Sequence, residues 1–118
     1  MSAICGVEAQ DIINESIRMD YRPIPIEVEP GVSIAAQAQI GLNIVHNDFI
    51  DALLKSPDLR VKAFYAIAIL RVECQRIVDE LARPEGLSAD VRVFMEGQKV
   101  KYSAWIEIIR QSLRDSDQ

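Results

Sequence analysis

The longest apolar rhythm in the chain runs from Asp58 to Arg83, and at its centre Ala63 to Leu70 form eight consecutive residues without a charge. Ala63, Ile67, Leu70, Cys74, Ile77 and Leu81 follow one another in alternating steps of four and three, the spacing that lines one face of a packed helix. Val61, Tyr65, Ala68 and Val72 make a second seam over the first half only. A helix that is apolar on every side is expected to be surrounded by others. Residues 58–83 are therefore predicted to be the central strut of a helical bundle, with Phe64 through Leu70 enclosed. Beyond that stretch Arg71, Glu73, Gln75, Arg76, Asp79 and Glu80 lie off the first seam, and the helix turns amphipathic.

Three further helices follow from the same pattern. Ala9, Ile13 and Ile17, with Ile12 and Met19 beside them, predict a short amphipathic helix over 7–19, too short to be stable alone in water. Ser33 is placed to cap a helix over 33–55 whose buried face is predicted to be Ile34, Ala38, Leu42, Val45, Phe49 and Leu53. Pro57 ends it, and the short connection makes it antiparallel to the central helix. Pro84 and Gly86 mark the next stop, and Ser88 opens a last helix over 88–113 with the seam Val91, Met95, Tyr102, Trp105, Ile109 and Leu113. Gly97 and Gln98 interrupt that seam, so a kink or short break is predicted near 97.

Residues 21–32 cannot be helical, because Pro23, Pro25 and Pro30 remove backbone donors and push their neighbours to extended geometry. Ile24, Ile26 and Val28 alternate with Pro25 and Glu27, which gives an extended segment one apolar side. The stretch reads as an arm laid either on its own bundle or on a neighbouring molecule. The expected fold is all-α: one domain over residues 1–118, four main helices, and a proline-rich extended arm between the first two.

Composition narrows the range of functions. A chain of 118 residues with 49% hydrophobic and 26% charged residues is an ordinary globule, long enough to bury a core. A formal charge of −5 argues against a general nucleic-acid binder, which needs a cationic surplus to neutralise phosphates. No uncharged run is long enough and apolar enough to cross a membrane, and the amino terminus lacks the pattern of an export signal. A cytoplasmic setting is expected, or the interior of a host cell or virion if the chain is viral. The two cysteines, Cys5 and Cys74, are too few for a disulfide framework, and Cys74 fits the central seam as a small apolar filler.

Catalytic and metal signatures are missing. His46 is the only histidine, and with the cysteines 69 positions apart neither a multi-histidine nor a paired-cysteine zinc motif exists. His46, Asn47 and Asp48 point about 100° apart on a helix and cannot converge on one atom. There is no nucleophile elbow and no phosphate-binding loop. The carboxylates sit by helical partners: Asp51 with Lys55, Asp79 with Arg83, Glu73 with Arg76. Arg92, Lys99, Lys101, Arg110 and Arg114 interleave with Tyr102 and Trp105, but both aromatics fit the apolar seam, so burial is the better account.

The expectation is a non-enzymatic interaction or assembly protein: an adaptor, structural or chaperone-like subunit with no cofactor, partnered by itself or another protein. The expected contact residues are Arg22, Ile24, Ile26 and Val28 on the arm and Val61, Tyr65, Ala68 and Val72 on the second seam. The alternative is a small acidic inhibitor or anti-defence protein, meeting a basic target through Glu8, Asp11, Glu15, Glu27 and Glu29. A helical-pocket enzyme built around His46 or Glu73 is the weakest reading.

Overall fold

A computed structural model describes residues 6–24 and 33–116. It is all-α, with helices α1 (Val7–Arg18), α2 (Ile34–Lys55), α3 (Leu59–Leu81) and α4 (Ala89–Ser116).

Local chemistry sets the helix ends. The Ser33 hydroxyl accepts from Ala36 N–H at 3.2 Å to open α2, and the Asp58 carboxylate accepts from Val61 N–H at 3.2 Å to open α3. Between them Ser56, which precedes Pro57, is held extended at ψ 137° and stops α2. Lys62 closes the corner: its buried ammonium donates to the Leu54 carbonyl at 2.9 Å, where the helix dipole of α2 is negative. Gly86, at φ 70°, makes the turn that lets α4 run back along α3, and the Ser88 hydroxyl accepts from Val91 N–H.

α3 and α4 form an antiparallel hairpin, and α1 packs across the end remote from its turn. One core gathers there: Ala9, Ile12, Ile13 and Ile17 of α1, Ala63, Ala66, Ile67 and Leu70 of α3, and Ile106, Ile109 and Leu113 of α4. α2 contributes Ile50 and Leu53 from its last turns. Inside α1 the fully buried Ser16 returns its hydroxyl to the Ile12 carbonyl at 2.7 Å, so it carries no unmet donor into the core.

Away from this end the molecule is open. Its Cα radius of gyration is 17.6 Å, against about 13.5 Å for a compact chain of this length. Its extents of 57 × 39 × 16 Å describe a slab.

Three sequence expectations are corrected. The central helix is not enclosed: its first seam is covered, with Ala63 and Leu70 fully buried, but Phe64 is 56% exposed and Val61, Ala68 and Val72 are exposed too. The fold covers about half of α3's circumference because α1 and α4 pack on one side and α2 diverges from the other. The face of α2 predicted to be buried is outermost: Ile34, Ala38, Leu42, Val45 and Phe49 are exposed, Ile34 by 84%, and only Leu53 is buried. Finally, the short break expected near 97 is absent: α4 is one continuous helix through Gly97 and Gln98. A mid-helix glycine costs about 1 kcal/mol in propensity but removes no backbone hydrogen bond, and packing along α3 holds the helix on either side.

Candidate interaction surface

α2 presents two opposed faces. Ile34, Ala38, Leu42, Val45 and Phe49 fall on one side at helical spacing, and all are exposed. On the other, Asn43, Asn47 and Asp51 stand four residues apart with His46 beside them, and this polar ladder grips the chain as it leaves α1.

The grip is on backbone. Asn47 accepts from the Arg22 N–H and donates to the Arg22 carbonyl, both at 2.9 Å, and so satisfies one extended residue completely. Asn43 donates to the Pro23 carbonyl at 3.0 Å and accepts from the Gln39 amide at 3.0 Å, which leaves neither end of its buried side chain unmet. Tyr21 donates its hydroxyl to Asp51, and this bond raises the phenol's pKa. His46 Nε2 lies 2.9 Å from the Asp20 carbonyl and 3.0 Å from its carboxylate. Both are acceptors, so Nε2 bears the proton. Tyr65 of α3 donates to the same Asp20 carboxylate at 2.5 Å, and burial, with that hydrogen bond behind it, pushes the Tyr65 hydroxyl up to about 12.

The clamp ties the segment after α1 to α2 and to Tyr65. His46 is half-buried and spends its Nε2 on Asp20. Of the helical ion pairs expected from spacing, Glu73 meets Arg76 at 3.3 Å, whereas Asp51 is taken by Tyr21, Asp79 by Gln75, and Arg83 by Glu80 and Glu85.

The residues singled out from sequence divide into three groups. Val61, Tyr65, Ala68 and Val72 share one side of α3; Tyr65 is half-buried, while Val61 and Val72 are 52% and 57% exposed. Arg22 is held by its backbone, and Ile24 is 41% exposed where the described segment ends. Ile26 and Val28 lie outside the described residues. Sequence reasoning missed that the α2 stripe belongs with the second seam of α3. Phe49 packs against Tyr65 with the rings tilted at 58° and 5.8 Å between centroids, which joins the two into one apolar face. It also missed the clamp, whose only trace in the sequence is the polar run Gln39, Asn43, Asn47 at four-residue steps inside an apolar helix.

Tyr102 and Trp105 pack against the core, and Lys101 sits 4.7 Å over the Trp105 ring. Cys74 is a free thiol 3.9 Å from the Ser103 hydroxyl. Among the described residues no three His, Cys, Asp or Glu side chains come together as a metal site requires, and no helix is long and apolar enough to cross a membrane.

Comparison of the chain with protein-family models, with curated proteins and with solved structures returns no match.

Proposed function

We propose that this protein is a non-enzymatic assembly subunit that associates with copies of itself through the apolar face shared by α2 and α3. The observation that carries the reading is the exposure of Ile34, Leu42, Val45, Phe49, Val61 and Val72, each half-exposed or more. Together these side chains leave on the order of 600 Å² of apolar surface in water, at the top of the range for a monomer's largest patch and approaching the roughly 800 Å² each partner gives to a standard interface.

Size-exclusion chromatography with light scattering tests it. The wild-type chain at micromolar concentration is expected to run at a multiple of its 13.3 kDa mass. Leu42→Asp or Val45→Asp should lower that mass without loss of helicity. A wild-type monomer throughout the micromolar range would overturn the proposal.

A second reading draws on α1, where Glu8, Asp11 and Glu15 are all exposed. That acidic strip suits a protein that occludes a basic site on a target, with an encounter rate that falls steeply as salt is added.

A further inference from the structure

The apolar stripe of α2 is ordered more strictly than its exposure alone conveys. Ala35, Ala38, Leu42, Val45, Phe49 and Ala52 follow one another in steps of three, four, three, four and three, the heptad spacing by which two helices lock side by side. All six are exposed, Leu42 by 60%, Val45 by 66% and Phe49 by 50%. From Ala35 to Ala52 the seam measures about 26 Å along the helix.

Charge and size point to what covers it. Residues 34–47 contain no Lys, Arg, Asp or Glu, in a chain of net charge −5. Copies of an acidic chain repel one another over most of their surface, and this stretch is where they can meet without that cost. The charged side chains flanking the seam on one side are Asp48 and Lys55.

Size then sets the direction. Turned end for end, the seam matches itself layer by layer: Ala35 with Ala52, Ala38 with Phe49 and Leu42 with Val45, and the same three layers in reverse beyond the midpoint. Each large side chain meets a smaller one, which fills the layers evenly. The space beside Ala38 is open to receive the Phe49 ring, since a Cβ on Gly41, one turn further along, would meet nothing within 4 Å. On the flank Asp48 falls opposite Gly41 and Lys55 opposite Ile34, so like charges do not oppose each other. In a parallel pairing Phe49 would face Phe49 and Ala38 would face Ala38, one layer overfilled and another hollow, with the helix dipoles aligned unfavourably. Two copies of the face proposed above bring on the order of 1,200 Å² together, the lower end of the range for a stable specific pair.

We infer that α2 of a second copy packs antiparallel on this seam, about a two-fold axis between Asn43 and Ile44. This rests on the self-association proposed above and adds the element, its direction and its closure, because an isologous contact is complete at two copies. Each α2 joins its own core through Ile50 and Leu53 near its carboxy-terminal end, so the two cores lie at opposite ends of the seam.

Site-directed cross-linking in the full-length chain tests the direction. Two variants, both carrying Cys5→Ser and Cys74→Ser, add Ala35→Cys or Ala52→Cys. Both alanines are exposed, so far-UV circular dichroism should match the wild-type chain. Mixed, equilibrated and treated with a short bismaleimide, the two variants should form a covalent pair joined from position 35 to position 52. Either variant alone should not, because the two copies of residue 35 stand about 26 Å apart in an antiparallel pair. Ala38→Phe crowds two rings into a layer sized for one and should weaken association about tenfold or more by light scattering. Cross-linking of the Ala35→Cys variant with itself would reveal a parallel pair and overturn the inference, as would wild-type affinity in Ala38→Phe. If Leu42→Asp lowers the mass and the mixture still gives no covalent pair, self-association stands and the antiparallel pairing falls. A wild-type monomer removes both.

Discussion

Two regions of this molecule are built from similar residues and end in opposite surroundings. Where α1 crosses the hairpin, Ile13 and Ile17, Leu70 and Ile109 are at most 1% exposed. Along the amino-terminal half of α2 and the far end of the hairpin, Ile34, Leu42, Val45, Val93, Phe94 and Val100 are 60% exposed or more. Hydrophobicity does not separate the two sets; the number of neighbouring helices does. α1, α3, α4 and the last turns of α2 meet at the closed end and enclose a core, whereas two helices, or one, leave at least one apolar stripe in water. In a single chain such stripes are surplus, and in an assembly they are contact surface.

The sharpest way to break this contrast is to place a charge in each region. Leu70→Asp buries an unpaired carboxylate and should abolish cooperative thermal unfolding, a loss of more than about 4 kcal/mol. Leu42→Asp on the open stripe should leave the circular dichroism spectrum intact and act on oligomer mass alone. Cooperative melting of Leu70→Asp would show that the closed end is not the core.

Cavity formation is the next largest effect. Ile109→Ala at the closed end should cost about 2–5 kcal/mol in urea denaturation, whereas Val93→Ala at the open end should stay within about 0.5 kcal/mol. Equal losses would place Val93 in an interface already present in the sample.

Between the two regions lies the clamp. Asn47→Ala frees both backbone groups of Arg22 into water, so the expected cost is about 1 kcal/mol. Faster hydrogen exchange should be confined to the residues around Arg22, and spread of that exchange into α1 would mean that the clamp also holds α1 on the bundle.

The smallest effect is a pH dependence. The folded chain holds the Tyr65 proton to about pH 12, and the unfolded chain releases it near 10. The folded value is the higher one, so this contribution is complete below about pH 10 and is lost as pH rises toward 12. Urea midpoints at about pH 9 and about pH 11 should therefore differ less for Tyr65→Phe than for the wild-type chain. The same drop in both would assign the alkaline loss to other groups.

The helices were legible because their determinants are local. Ser33 and Asp58 cap the helices they precede, Pro57 and Gly86 sit in the turns, and the seam from Ala63 to Ile77 faces the core in the register its spacing gives. Of the candidate surface, the Val61, Tyr65, Ala68, Val72 side could be recognised as apolar beyond need, but its continuation onto α2 could not. The α2 stripe has the period of a core face, and 3.6-residue periodicity is the same whether a stripe meets its own bundle or another molecule. The clamp was hidden for a related reason. Asn43 is buried because the Pro23 carbonyl, twenty residues earlier in the chain, arrives beside it.

By itself the sequence determined an all-α chain of four helices and which residues share a face, because hydrogen-bonded turns and caps are settled within a few residues. Only the tertiary structure decided which of those faces are covered and that Asn47 holds Arg22. Each of these depends on the distance between elements remote in sequence, which no local pattern encodes.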